Sequence, residues 1–556
     1  MTMDAKQLVQ QGDHLFGKRS TLMSFWQESC ENLYVERADF TAMRTPGINY
    51  ADNLATSIPV IMRRELGDIF STMLRPTSID WFHAATTRED QEDQAAKQWL
   101  EAKTAVMRRA MYDPDSLFTR ATKEADHDFA AIGNAVITVE VDYSVNKLLY
   151  RCWHVRDVAW ANDVRGKVCT VHRKWKSTAI EQSKVFPGKV HPKILEKLTG
   201  PKADPYCEVN VRHIVMPVED YPGNFPGKGK RARFVSIFVD VDNDHVIEET
   251  GQNYLMYVIP RWQTVSGSQY GFSPAAGAAL PEARLLQAMT ATLIEAGEKA
   301  TNPPMIGVGE ALRSDLALYA GGFTSIDAEY DERLGQVLRP LTIDKSGIPF
   351  GVDLREQVVE TLKDAFYLNK LNLPAQGPEM TAYEVGQRIQ EFIRASAPIF
   401  EPVESNYNGA ICETTFELLL AHGVFGPAEE IPDSLQGSDV QFSFESPLHD
   451  AIEKQKAQVF VEVKGIIADT LALDPTFGAN VDITTAGRDV LSAVAPAKWL
   501  RSEDDAKQII DQQRQAQQAQ QLIEQINAGA TAAEQVGKAG QALGPDAQNS
   551  PDAMAA

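Results

Sequence analysis

The run from Gly223 to Arg231, Gly-Asn-Phe-Pro-Gly-Lys-Gly-Lys-Arg, holds the glycines and lysines with which a loop could wrap phosphate oxygens. A nucleotide-binding P-loop also needs a glycine five residues before its Gly-Lys pair and a hydroxyl directly after it. Asn224 and Arg231 occupy those positions, so the stretch reads as a basic loop ahead of a strand. Gly307-Val-Gly309 opens like a dinucleotide fingerprint, but Leu312 stands where the third glycine would let helix and strand pack closely. Asp240, Asp242 and Asp244 alternate as in a calcium loop, yet His245 replaces the turn glycine and Gly251 the bidentate glutamate. Strand-like sequence on both sides makes that segment a polar hairpin turn. The chain contains no H-E-x-x-H and no G-x-S-x-G, and its ten histidines are dispersed. Cys30, Cys152, Cys169, Cys207 and Cys412 are odd in number and form no C-x-x-C pair, as buried or free thiols of a reducing compartment do. No catalytic residue, cofactor or metal ligand is expected, and the chain reads as a non-enzyme.

Composition bounds what the elements can be. A net charge of −22 and a pI near 5.0 argue against a surface that simply coats nucleic acid. Hydrophobic residues at 44% supply ample core, which excludes a mostly disordered chain. The length of 556 residues suggests three to four domains at about 150 residues each. The opening residues lack the apolar core of a signal peptide. No stretch of about 18 uncharged apolar residues offers a spanning helix, so neither export nor membrane association is expected.

The first 130 residues read as helical. Ser20 is placed to cap one helix, a second is expected over Asn53–Leu74 and a third over Arg88–Met111, and Asp113-Pro114 opens a fourth. Period-two segments follow at 135–142, 148–153, 167–175, 208–215, 233–239 and 253–259, with short helices at 177–185 and 191–198, an α+β block built on antiparallel pairing. A strong helix spans Ser273–Ala300, with Pro281 marking a fresh first turn. Residues 305–350 are irregular and β-tending, and helix resumes over Val352–Leu368, so two helices flank an insert. Asn369–Pro378 shows no pattern of its own. A capping box at Thr381 and Glu384 starts a long helix, expected to kink at Pro398 and Pro402 and to stop at Gly423. Val440–Phe444 alternates like an edge strand, and helical turns are expected from Pro447 onward. Eight of the fifteen residues from Asp511 to Gln525 are glutamine, which leaves a neighbour-stabilised helix and an unstructured tail as equal readings.

Several local words in this order resemble the portal, or head-to-tail connector, proteins of short-tailed (podovirus-type) double-stranded DNA bacteriophages. They are Phe16-Gly-Lys-Arg-Ser20 with Phe25-Trp26 and Glu36–Phe40, then Thr77–Phe82, then Tyr270–Pro274 with Leu280-Pro281 and Asn302-Pro303-Pro304, and finally Met380–Val385 and Ser446–Leu448. The resemblance implies a predominantly helical α+β portal fold assembled as a homododecameric ring around a channel. It implies a wing over 1–269, a first stem helix over 270–304, a clip over 305–350 and a second stem helix over 351–368. A tunnel loop over 369–380 follows, then a kinked helix returning to the wing over 381–445, a crown over 446–528 and a disordered tail over 529–556. Asn369, Lys370, Leu371, Asn372 and Leu373 fall where such a loop lines the channel, with Lys370 as the candidate basic ring.

The function implied is the vertex through which double-stranded DNA enters the capsid and later leaves. Partners implied are further copies of the chain, the DNA, a transient terminase large subunit, the major capsid and scaffolding proteins, a tail adaptor at the clip and internal ejection proteins at the crown. The chain would be made in the host bacterial cytoplasm and end in the virion. Twelve copies at −22 each carry about −264, which suits a conduit, because every neutralised phosphate would brake a duplex that must slide. Two other classes remain as alternatives: a DNA-packaging ATPase or nuclease, which the failed phosphate loop disfavours, and another virion ring protein such as a tail adaptor, which the length disfavours.

Overall fold

The computed structural model describes residues 4–43, 45, 47, 51–76, 80–86, 94–200, 203–223, 225, 232–307, 338–340, 346–371, 394, 399, 403–427, 430–435, 440–444, 509, 512 and 513. Met1–Ala451 form one compact unit and Ile452–Ala556 a second. The expected crown and tail therefore lie outside the described residues, apart from helical positions at Ile509, Gln512 and Gln513.

The first unit opens with α1 (Ala5–Lys18) and α2 (Ser20–Leu33), then α3 (Ile58–Leu74), β1 (Phe82–Thr86), α4 (Gln94–Met111) and α5 (Phe118–Ile132). Several boundaries differ from the sequence reading. Ser20 caps nothing: Arg19 holds the cap position, and its buried guanidinium donates to the carbonyls of Val155 and Val158, both at 2.7 Å. α3 starts at Ile58, not Asn53, because Pro59 occupies its first turn, where a missing N–H costs nothing. Pro114 opens only a 3₁₀ turn, and Leu117 in the left-handed region (φ 56°) breaks it from α5. Phe82–Thr86 is not helical; it pairs antiparallel with the expected edge strand Val440–Phe444.

The α+β block is antiparallel, as expected. β2 (Ile137–Asp142) pairs with β3 (Lys147–Cys152). A five-stranded sheet follows, built from β4 (Val158–Asn162), β5 (Val168–Thr178), β6 (Glu208–Pro217), β7 (Phe234–Asp240) and β8 (His245–Gln252) in spatial sequence. Helices α6 (Ala179–Val185) and α7 (Pro192–Thr199) sit between β5 and β6, capped by Thr178 and His191. β9 (Tyr257–Val258) is short and joins β2. Next come α8 (Pro274–Thr301), β10 (Met305–Gly307), β11 (Leu338–Pro340), α9 (Gly347–Ala365) and α10 (Leu368–Leu371). A π-helical turn at Glu404–Gly409 leads into α11 (Ala410–Ala421) and finally β12 (Val440–Phe444). Gly423 (φ 69°) ends α11 as expected. The kinks at Pro398 and Pro402 lie outside the described residues.

The main core gathers α3, α5, β2, β3, the root of α8, the end of α9, and α11. Phe129 stacks on Trp262 with centroids 5.4 Å apart, and Phe70 meets Trp262 edge-on at 5.0 Å. A buried polar clamp lies against this core. Arg75, at the end of α3, pairs with Asp126 of α5 and donates to Asn408 Oδ1 at 2.8 Å. Asn408 Nδ2 in turn donates to the Leu74 carbonyl at 3.1 Å, which satisfies an orphan group at the α3 terminus. The π turn adds the extra residue that places Tyr407 under the Arg75 guanidinium, 4.8 Å from the ring centroid, with Asn408 beside it. Burial raises the Asp126 pKa against the pull of Arg75.

Removing one partner of a buried pair leaves the other charge uncompensated. Asp126→Asn is therefore expected to cost about 3–5 kcal/mol, read as a lower urea midpoint; a loss below about 1 kcal/mol would show that Arg75 does not depend on it.

Candidate functional site: a helical pair, its insert and the turn behind it

α8 is 28 residues long, about 42 Å at 1.5 Å per residue. Its start is fixed twice. The Ser273 hydroxyl accepts from Ala276 N–H at 3.0 Å and donates to the Ala130 carbonyl at 2.7 Å. Gly133 (φ 76°) lets the chain pass so closely that a Cβ there would lie 2.1 Å from the Phe272 carbonyl carbon. Pro281 does not begin a new turn; it lies inside one continuous helix and sacrifices a single backbone bond.

α9 returns antiparallel to α8. Gly351 lies against Leu293, and Arg355 Nε reaches Thr290 Oγ1 at 3.4 Å. Leu286 of α8 and Val358, Leu362 and Phe366 at the α9 end are buried in the main core. Farther out the pair is bare. Leu285 is 46% exposed, Ile294 50%, Phe350 69%, and Val352 and Leu354 40% each, so apolar residues occupy more than the buried side. β10 and β11 pair antiparallel, Met305 opposite Pro340, so the insert leaves and re-enters the helical pair at one point.

Behind α9 the chain turns at Tyr367 (φ 59°) and makes the short helix α10, where the sequence suggested no regular structure. Spacing by three puts Leu368 and Leu371 on one side, both buried in the main core. The Leu371 side chain is thus committed to the core and is not available to line a channel. Asn369 and Lys370 face outward. Asn369 Nδ2 donates to Asp364 Oδ1 at 2.8 Å, and Lys370 Nζ lies 5.9 Å from the Tyr367 ring centroid. Asn372 and Leu373 are outside the described residues.

Of the stretches that resembled enzymatic motifs, the structure describes Asp240–Asp244 in full. Asp240 Oδ1 accepts from the N–H groups of Asp242 and Asn243 at 3.0 and 3.2 Å, which closes the β7–β8 hairpin as an Asx turn. Among the described residues no three His, Cys, Asp or Glu side chains converge to hold a metal, and no helix is long and apolar enough to cross a membrane. Most of Gly223–Arg231, and everything beyond Gly307 in Gly307–Leu312, lies outside the described residues.

Residues 5–498 match the family model described as bacteriophage head to tail connecting protein. The chain belongs to that family. Among its relatives, this connector is 25% identical over 550 residues to a probable portal protein of Bordetella phage BPP-1, covering 96% of this chain and 95% of that one. It is 21% identical over 539 residues to the portal protein of Salmonella phage epsilon15, covering 93% of each. Solved structures similar to it include the neck of an empty GTA particle with C6 symmetry, at 10% identity and a TM-score of 0.35, covering 80% of this chain and 93% of that one. Another is the virion of a native gene transfer agent particle, at 10% identity and a TM-score of 0.33, covering 74% and 86%.

In this connector the clamp of Arg75, Asp126 and Asn408 carries no local sequence signal, since its members lie 51 and 333 residues apart along the chain. Leu285 and Ile294 are exposed, although Leu286 and Thr290 on the same helix are buried. Leu285→Asp and Ile294→Asp are expected to leave monomer stability within about 0.5 kcal/mol. Leu362→Ala, buried between the helices, should cost about 2–5 kcal/mol. Urea unfolding of the three variants checks this, and equal losses would mean the outer face is packed within the subunit.

Proposed function

We propose that the chain is the portal subunit of a short-tailed DNA bacteriophage. Copies of it form a closed ring at one capsid vertex, through which double-stranded DNA is packaged and later ejected. The observation that carries this reading is the end-to-end match to two phage portal proteins, with both chains covered at 93% or more. The architecture supports it. A helical pair rooted in a core at one end and bare along its flanks suits packing against two neighbours, and cyclic rings use two different faces of each subunit.

In this reading α8 and α9 are the stem, the insert between them is the clip that meets the tail adaptor, and Asn369, Lys370 and the segment beyond Leu371 enter the channel. Twelve subunits are proposed, together with docking of a transient terminase large subunit and contacts to the capsid shell, scaffolding and internal ejection proteins. The protein itself turns over no substrate; a separate motor drives the DNA. A mostly acidic wall repels the duplex from the side, and the outward Lys370 supplies one weak basic ring per circuit. The virion is its final location, after synthesis in the host cytoplasm.

Complementation of particles assembled without the chain tests this. Such particles are expected to contain no DNA and no tail, and the wild-type chain should restore both. Lys370→Ala should restore assembly but change how firmly packaged DNA is retained. DNA-filled tailed particles without the chain would overturn the function, and unchanged retention would remove Lys370 from the channel. ATP hydrolysis by the purified chain alone would favour a packaging enzyme instead.

A further inference from the structure

Helix α1 lies across one face of the five-stranded sheet, and its two ends rest on unlike surfaces. Ala5, Leu8 and Val9 pack on Ile214 and Met216 of β6 and on Val235, Ile237 and Val239 of β7, an apolar seat. The same sheet face turns polar toward β5: His172 stands opposite Ile214 in the antiparallel register, and Lys174 opposite Arg212. Gly12 of α1 comes down on that polar half. A Cβ on it would lie 2.7 Å from His172 Nδ1 and 2.3 Å from Arg212 Nη1, so the helix backbone lies directly on both side chains.

His172 is fully buried there, and neither ring nitrogen has a hydrogen-bond partner among the described residues. Its charged neighbours are mostly cations. Arg212 is 4% exposed; its Nη2 reaches Asp13 of α1 at 3.0 Å, while Nε and Nη1 have no partner among the described residues. Lys174, Arg212 and Arg19 gather around Phe16 of α1, at 4.1, 5.0 and 4.8 Å from its ring centroid. Asp157 attracts Lys174 but is itself paired with Arg156, and β4 presents Ala159 opposite His172. His14 on α1 is exposed. Burial and the Arg212 charge hold the His172 ring neutral, with its pKa pulled down to about 3. His213, on the opposite sheet face, differs: its nitrogens are hydrogen-bonded to Tyr257 Oη and Ser236 Oγ at 2.6 and 2.8 Å. A protonated His172 would be a further cation under α1 with no acceptor to satisfy it.

We propose that α1 is an acid-released strap: when His172 takes up a proton, the helix lifts from the sheet and bares Ile214, Met216, Val235 and Ile237, while the rest of the subunit keeps its fold. Lifting α1 is the direct route to water, because its backbone at Gly12 lies against the ring. Seated, His172 stays neutral down to about pH 3; lifted, it titrates near the ordinary histidine value of about 6.5. The seat is therefore at full strength above about pH 6.5 and weakens as the pH falls from there toward about 3. Release is a property of the subunit and does not require the ring.

Hydrogen exchange of the full-length chain tests this, with each rate referred to the intrinsic rate of an unstructured peptide at the same pH. Between pH 7.5 and 5.0 the opening constant of the α1 amides is expected to rise about ten- to thirtyfold, with a slope of about one proton per opening between pH 6 and 4. That of α11 should stay flat. His172→Gln and His172→Leu remove the titration by two different chemistries. In whichever keeps α1 protected at pH 7.5, the rise should shrink to about twofold or less. A rise of wild-type size in such a variant would overturn the proposal. So would a wild-type slope near zero, or equal rises in α1 and α11, which would mean that acid loosens the whole subunit. If neither variant seats α1, the wild-type slope and the contrast with α11 decide.

Discussion

Two long helices joined by an insert must both begin and end in one core, and the rest of the subunit is arranged to satisfy that condition. α8 leaves the core at Ser273, whose hydroxyl ties it back to α5, and α9 returns to the same core at Leu362 and Phe366. The insert strands β10 and β11 close on each other at the far end, so the unit behaves as an arm with a fixed root. Among the described residues its flanks keep large apolar side chains exposed. In the proposed ring each arm would lie between two others, which would cover those flanks.

The root has to be stiff for an arm of that length, and the polar clamp is placed where stiffness is needed. Arg75, Asp126 and Asn408 bind the end of α3, the middle of α5 and the π turn into one unit, although they come from three distant parts of the sequence. Such buried networks are weak sources of net stability, yet they penalise any other packing of the same helices. The π turn follows from this: an α-helical register would carry Tyr407 and Asn408 away from the guanidinium.

Much of this was legible in the residues. The hairpins of β2–β3 and β7–β8, the two short helices between β5 and β6, the helical pair and the stop at Gly423 are local signals that tertiary packing did not override. What escaped was non-local or marginal. β1 is five residues flanked by aromatic Trp81 and becomes a strand only because Val440–Phe444 arrives from some 360 residues away. β4 is short and pairs over a bulge at Ala161 and Asn162. Pro281 reads as a helix start because proline favours first turns, whereas the root of α8 in the core holds the helix through it. The turn at Asn369 shows the same effect. Nothing in its own sequence demands a helix, but Leu368 and Leu371 find the core and draw one turn around themselves, leaving Asn369 and Lys370 outward. The functional class was carried by the serial arrangement of sequence words and not by any single site.

The central claim is that bare helical flanks and an acidic chain belong to one subunit of a closed ring around a channel. Electron microscopy of the purified protein at micromolar concentration tests it most directly. Rings with rotational symmetry and an axial hole are the predicted result, with twelve-fold order as the expected symmetry. Compact monomers at that concentration, with the helical arm folded against its own subunit, would contradict it.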